Sequence, residues 1–528
     1  MSIVTQEQLW AGFDYSAPSN PTIVRESLSP IIDKSMYFSG LKTFSGTTRI
    51  YARFLSIESD TPLPCIIILP SSLDSLDDIE IDKYLDLLKG YSLMFVDYFG
   101  SAKTKLKHTI YPKDIDAYWQ RDKAHLNTFI PEDLKTSAHY YFSTTALFSV
   151  NYLRQYQNEL NIDIDKIGII GIGTGAGLVY KASIDQTIKC GASFFCGDIF
   201  GQEAKYIGYK AALDSRMYAT KTDIPVLINA ATNQIGGGFD YLNDLYLSAQ
   251  NARLLNYSLS DNAISEEQRH NLATWFDSIL KNQETALPEK PKILVSVSEG
   301  ANYIELTGAF DSVTIYLAED RDAEFRNWKK IKHTKISETK YLARIEPCSI
   351  KHKLFASVVT KCGFSLSSEM MLIKPSIDEG AAAKKGRILF KSGLNKSDWL
   401  IKGHGFFDND GVPIMAKGPF DLEGIKGKNL ISLASGDAVG KRLSESLLQF
   451  IIHAPLQTEV EFNLTLDLKN GMTDVYSTKK TIQDKDWAMV TLSPIDFKCA
   501  KGIPSFDKVI SIGAKASTPL IISSIIWV

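Results

Sequence analysis

The residues whose types and spacing could do chemistry lie in one stretch, Lys166-Ile167-Gly168-Ile169-Ile170-Gly171-Ile172-Gly173-Thr174-Gly175-Ala176-Gly177. A buried strand pattern, Lys166 to Gly171, runs into glycines and then into a helix pattern. Two chemistries use such a junction. In a dinucleotide site, Gly171, Gly173 and Ala176 satisfy G-x-G-x-x-A, and a pyrophosphate approaches the helix N-terminus. That unit should open its domain, with an acid at the next strand end about 20 residues on. Here several strand patterns precede it, and the nearest acid after the next strand, Asp198, comes late. In a nucleophile elbow, small residues flank the nucleophile two positions to either side, between strand and helix. With Gly171 and Gly175 as the small pair, the nucleophile position falls on Gly173.

The elements that must position this stretch alternate strand and helix. Ile50, Ala52 and Phe54 alternate with polar residues, as in a half-buried strand. Cys65 to Leu69 is continuously apolar, as a strand covered on both faces should be, and Leu93 to Val96 repeats the pattern before Asp97. Tyr141/Phe142, Thr145/Ala146, Phe148 and Tyr152/Leu153 fall on one helical face. Gly191 to Cys196, Ile224 to Ile228 and Leu254 to Tyr257 supply further strands, and Leu272 to Leu280 a closing helix. Such alternation predicts a mostly parallel sheet with helices on both faces.

The texture changes at Lys281 to Pro291, a polar stretch with two prolines that reads as a linker. From Lys292 to Pro375 the segments are short and strand-like, as in an immunoglobulin-like sandwich. A second linker follows, and everything after Gly386 is all-β, which suits a two-sheet jelly roll. The expected organisation is an α/β unit at 1–285, a sandwich at 286–375 and a jelly roll at 376–528. Asn409-Asp410-Gly411 marks a tight hairpin.

Composition narrows the function classes. The chain has 528 residues, 44% hydrophobic and 23% charged, and a formal net charge of −3. That is a globular balance with no basic excess to draw it onto nucleic acid or anionic lipid. No run approaches the ~20 apolar residues that span a bilayer. The start, MSIVTQEQLWAGFDYSAP, lacks the basic and apolar regions of a secretory signal, so the expected location is cytoplasmic. None of the 6 cysteines stand at C-x-x-C spacing. Cys348 and Cys362 could meet across a hairpin; the alternative is two small buried apolar residues. Neither a metal nor a cofactor is expected.

The region 40–281 resembles the α/β-hydrolase superfamily, in its acetylxylan-esterase-like and dienelactone-hydrolase-like branch. The resemblance is carried by LPCIIILPSS, MFVDYFG, HTIYP, the elbow, IPVLINAATNQ and the closing NLATWFDSIL. It implies an α/β-hydrolase domain with a Ser-type nucleophile at the elbow, an acid after the strand that follows the elbow's neighbour, and a histidine after the last strand, before the terminal helix. This chain departs at all three. Gly173 stands at the nucleophile position, Gln234 in Ala231-Thr232-Asn233-Gln234 at the acid position, and Asn262 in Ser260-Asp261-Asn262-Ala263 at the histidine position. Acyl transfer needs attack, proton transfer and imidazole orientation together. Fallback candidates are Thr174, beside the elbow; Asp240, further along the acid loop; and His270, within a helix whose polar face could equally leave it solvated. Cys196 and Asp198 read as core and cap.

The region 386–528 resembles jelly-roll carbohydrate-binding modules, on LLQFIIHAP, DWAMVTLSPIDF and LIISSIIWV. The resemblance implies sugar rings stacked on aromatic faces. Trp399, Phe406, Phe407 and Tyr476 are the candidate platforms, each with a core aromatic as the alternative; Trp487 and Trp527 read as core. The combined expectation is a catalytically degenerate, carbohydrate-esterase-like hydrolase that binds or scaffolds, with a carbohydrate ligand and a protein partner or homo-oligomer as candidate partners. The alternatives are an active ester hydrolase with a relocated catalytic set, and a dinucleotide-dependent enzyme.

Overall fold

The structure is a computed structural model. It describes residues 4–28, 31–71, 75–100, 107–112, 133–195, 207–232, 238–249, 253–259, 264–281, 287–299, 301–320, 326, 328–345, 351–375, 387–391, 399–401, 414–419, 422–432, 446–468, 472–483 and 486–527.

The α/β unit is an α/β-hydrolase-like sheet. After a short helix α1 (Gln6–Trp10), strands β1 (Thr22–Ser27), β2 (Ile32–Thr43) and β3 (Gly46–Ser56) form an antiparallel run. Strand β4 (Leu63–Leu69), helix α2 (Leu85–Leu88) and strand β5 (Ser92–Asp97) follow. Helix α3 (Ala138–Gln155) leads into β6 (Ile162–Ile172), and α4 (Ala176–Ala182) into β7 (Ile188–Phe194). Helices α5 (Ile207–Ala212) and α6 (Ser215–Ala219) precede β8 (Val226–Ala231). Then come α7 (Gly238–Ser248), β9 (Arg253–Ser258) and α8 (Glu266–Leu280). The strand order is β1-β2-β3-β5-β4-β6-β7-β8-β9, with every pair from β5 to β9 parallel. Residues of α3, α4 and α7 pack on one face, in a cluster with Met94 and Ile169; Leu87, Trp275 and Phe276 pack on the other with Phe95 and Ile170.

Two expectations are corrected here. In β3, Tyr51 and Arg53 are buried along with Ile50, Ala52 and Phe54, because both faces of this strand are covered. Arg53 survives burial because its Nε and Nη2 each donate to Asp33 at 3.0 Å, and its Nη1 donates to the Leu76 carbonyl at 2.9 Å. In α3, burial extends all round from His139 to Leu153, not along one face. The N-terminal segment covers the outer side: Asn151 Nδ2 and Gln155 Nε2 both donate to Ala17 O at 3.0 Å, and Trp10 packs on Tyr140.

The next region is a two-sheet β structure. One sheet orders β10 (Lys292–Ser298), β11 (Ala301–Thr307), β15 (Lys340–Ile345) and β14 (His333–Ser337). The other contains β12 (Ser312–Glu319), β13 (Lys329–Ile331), β16 (His352–Val359), β17 (Ser365–Ser367) and β18 (Met371–Ile373). This second sheet continues the α/β sheet, because Ser367 of β17 pairs with Leu255 of β9. Side chains lock the junction: Ser367 Oγ accepts from Tyr257 N at 2.9 Å, and Asn271 exchanges bonds of 2.8 and 3.0 Å with the Ser365 backbone.

The C-terminal region is antiparallel β with a core cluster of its own. Its strands are β19 (Arg387–Lys391), β20 (Trp399–Ile401), β21 (Ile414–Lys417), β22 (Glu423–Ser432), β23 (Leu448–His453), β24 (Thr458–Leu468), β25 (Met472–Ile482), β26 (Trp487–Leu492) and β27 (Val509–Trp527). The sequence suggests two closing strands, KVISIGA and LIISSIIWV. In the structure they are one, β27. Its first half pairs with β24 and its second with β23, while β22 follows its opposite edge. Pro519 falls where the pairing with β22 skips from Lys515 to Leu520, so no ladder bond to β22 is lost there. The hairpin at 409–411 lies outside the described residues.

Candidate functional site at the β6–α4 elbow

Strand β6 ends at Ile172, a 3₁₀ turn covers Gly173–Gly175, and α4 starts at Ala176. Gly173 has φ +59°, the left-handed conformation that a sharp strand-to-helix elbow demands. A Cβ on Gly171 would lie 2.3 Å from Gly175 O, and one on Gly175 would lie 2.5 Å from Leu69 O. Both flanking positions are therefore small by necessity. At Gly173 itself a Cβ would meet only Ser71 among the described residues, with Oγ at 3.6 Å. The backbone thus has the elbow register with space for a side chain at its centre, and no side chain there. A dinucleotide site fits less well, since β6 follows β2 to β5 in the chain and does not open the domain. Asp198 and Cys196 lie outside the described residues.

The walls of the elbow come from the ends of β4 and β5. Ser71, two residues beyond β4, is half-buried and faces Gly173. Tyr98, just after β5, is buried, and its hydroxyl shares a 2.6 Å hydrogen bond with Thr174 Oγ1. Asp97 makes that placement possible. Its carboxylate accepts from Gly100 N at 3.2 Å and Thr109 N at 2.7 Å, which fixes the turn in which Gly100 takes φ +78°. Sequence reasoning includes Ser71 and Tyr98 in the resemblance, within LPCIIILPSS and MFVDYFG, but does not name Tyr98 as a partner of Thr174. Their signal is present in LPSS and DYFG, at the ends of β4, which neighbours β6 in the sheet order, and of β5, the strand beyond β4.

Two of the three fallback residues have another partner. Thr174 is engaged by Tyr98. Asp240, in the first turn of α7, forms a two-point ion pair with Arg326, at 2.6 and 2.5 Å. His270 is exposed on α8, near the Cys362-Gly363 turn; a Cβ on Gly363 would lie 3.9 Å from its Nε2. Asp86 on α2 lies below the usual carboxylate range, chiefly through Lys89, with a smaller contribution from His270. Gln234 and Asn262 lie outside the described residues; the strands that lead to them end at Ala231 and Ser258. Among the described residues no group of three or more His, Cys, Asp or Glu could hold a metal ion.

The cysteine and aromatic expectations are revised as follows. Cys362 is exposed, not a buried apolar residue, and carries a free thiol held below its ordinary range, first by the 3.1 Å contact with Thr360 Oγ1. Cys348 lies outside the described residues. Tyr476 is 8% exposed and belongs to the C-terminal core cluster. Of Trp399 only the backbone, at the start of β20, is described; Phe406 and Phe407 lie outside. Trp527 is buried, as expected. Trp487, read as core, is only partly buried: its indole N–H donates to Pro419 O at 2.9 Å and its ring lies against Gly418.

The sheet order and the elbow define an α/β-hydrolase-like fold extended by two antiparallel β regions. No protein-family model and no curated protein sequence matches the chain. Among solved structures it is similar to an acetyl xylan esterase from Paenibacillus sp. R4, at 12% identity and TM-score 0.40, covering 52% of this chain and 93% of that one. It is also similar to acetyl xylan esterase 1 from Thermoanaerobacterium sp. JW/SL YS485, at 14% identity and TM-score 0.37, covering 49% and 88%. A glucuronoyl esterase from Solibacter usitatus aligns at 12% identity and TM-score 0.34, covering 52% and 94%. Each alignment covers about half of this chain. No helix among the described residues is long and apolar enough to cross a membrane.

Proposed function

We propose that this protein is a catalytically degenerate, carbohydrate-esterase-like α/β-hydrolase that acts by binding or scaffolding, with carbohydrate as its ligand. One observation carries the reading. The elbow keeps the two obligatory small residues and the left-handed centre, yet that centre is Gly173, which has no nucleophile to offer. Thr174 does not replace it, because its hydroxyl is spent on Tyr98. Asp240 does not replace the acid, because Arg326 holds it. The alternative, ester hydrolysis by a relocated set, requires these residues to exchange partners. The carbohydrate half of the proposal rests on the resemblance of the C-terminal region to sugar-binding jelly rolls.

Two assays test it: a screen of acetylated and p-nitrophenyl esters with the full chain, and affinity electrophoresis against plant and bacterial polysaccharides. Absence of turnover with retardation on at least one glycan is the expected result. Unaltered mobility across the panel removes the carbohydrate ligand and leaves scaffolding.

A further inference from the structure

We infer that Arg326, a residue of the sandwich region, is the positioning residue for helix α7, whose first turn carries the fallback acid Asp240. The inference concerns how the site is held, and stands whether or not the site binds carbohydrate.

Three consecutive anchors support it, all between α7 and residues 326–370. Phe239 packs its ring against Trp328 and Phe355, with centroids 5.7 and 6.2 Å away. Asp240 receives both terminal nitrogens of Arg326, at 2.6 and 2.5 Å. Asn243, one turn on, accepts from Met370 N at 2.9 Å through Oδ1, which also receives the Tyr257 hydroxyl at 3.2 Å.

The burial of the ion pair is lopsided. The Arg326 side chain is 1% exposed and that of Asp240 is 41% exposed. A buried guanidinium needs a carboxylate, and among the described residues Asp240 is held at 2.5 Å while Asp320 lies 3.8 Å away and is shared with Lys353 at 3.7 Å. Arg326 therefore draws Asp240, and with it the first turn of α7, toward the sandwich. This also accounts for the fate of the fallback acid: Asp240 faces Arg326 as a structural counter-ion. A planar two-point fork fixes direction as well as distance, which a lysine would not.

Hydrogen exchange read by mass spectrometry on the full chain tests this. In Arg326→Gln, amides 238–248 should exchange at least about tenfold faster than in the parent, while amides of β6 and β16 stay within about twofold. Arg326→Lys should recover part of the protection. Asp240→Asn should reproduce the local loss, and it decides the matter if Arg326→Gln does not fold. The double variant should be no worse than the worse single, as befits two halves of one interaction. Unchanged protection of 238–248 in the variants that fold overturns the inference. So does an equal loss across α7, β6 and β16, which would make Arg326 a global stabiliser and not a positioning residue.

Discussion

The hydroxyl of Thr174 lies 2.6 Å from the hydroxyl of Tyr98, so the hydroxyl that follows the empty elbow position in the chain is bonded to a buried phenol. That pairing ties the turn after β5 to the start of α4. It turns what would be a reactive edge of the site into a structural joint. Tyr98→Phe should release Thr174 without generating esterase activity, since no base is supplied.

Substitutions in the elbow should separate by position. Gly173→Ser has room, with Ser71 Oγ 3.6 Å from the new Cβ, but pays for φ +59°. A loss of about 1–2 kcal/mol is expected from the left-handed backbone. Gly171→Ala drives a Cβ to 2.3 Å from a carbonyl oxygen and should cost more, at least about 2–3 kcal/mol. Urea unfolding of both variants checks the order. Gly173→Ser should still fail to react with a fluorophosphonate probe.

The acid side of the stability profile follows from three carboxylates. Burial alone would raise Asp33, Asp185 and Asp214, but hydrogen bonds from Arg53 to Asp33, from the Thr187 N–H and then Arg154 to Asp185, and from Arg216 to Asp214 outweigh it and hold each below its ordinary value. A depressed folded pKa contributes stability above the unfolded value, near 3.9, that is lost as pH falls through the folded one. From these groups stability should be flat between about pH 7 and 5 and fall below about pH 4. Thermal melts across that range should show the break. Asp185→Asn should soften it.

Limited proteolysis should cut first near 282–291 or 376–386, the two polar stretches of the sequence. The outcomes should differ. A chain nicked at 282–291 should stay together on gel filtration, because β17 pairs with β9 and Asn271, Tyr257 and Asn243 bridge to the sandwich. Cleavage at 376–386 should release the C-terminal region, whose core cluster is separate. Early cleavage within 160–200 would contradict the proposed boundaries.

Much of this was legible in the residues. Continuous apolar runs such as Cys65–Leu69 gave buried parallel strands, and glycine spacing gave the elbow register, because both depend on local sterics. What could not be read depends on distant partners. The burial of Arg53 needs Asp33, and the outer face of α3 is covered by residues around Ala17, neither of which periodicity encodes. The joining of the sandwich sheet to the α/β sheet rests on a brief β9–β17 contact, which no linker composition announces. Exposed Cys362 and core Tyr476 were likewise decided by tertiary packing.

In the C-terminal region, sugar binding and stability should respond to different residues. Tyr476→Ala removes a core ring and should cost about 3 kcal/mol with little effect on glycan affinity in the folded fraction. Trp399→Ala or Phe407→Ala should weaken retardation on a polysaccharide gel if either ring is a platform. Loss of retardation in Tyr476→Ala alone would reverse that assignment.

The most direct test of the central claim is steady-state hydrolysis of p-nitrophenyl acetate and acetylated xylan by the purified full chain. In the proposed reading, three roles are missing from their usual positions, at Gly173, Gln234 and Asn262. Backbone N–H groups alone can leave roughly 10³–10⁴-fold catalysis over water, so a faint rate insensitive to Thr174→Ala and His270→Ala fits the account. The predicted result is no turnover above that level. Robust esterase activity abolished by Thr174→Ala or His270→Ala would contradict it and establish a relocated catalytic set.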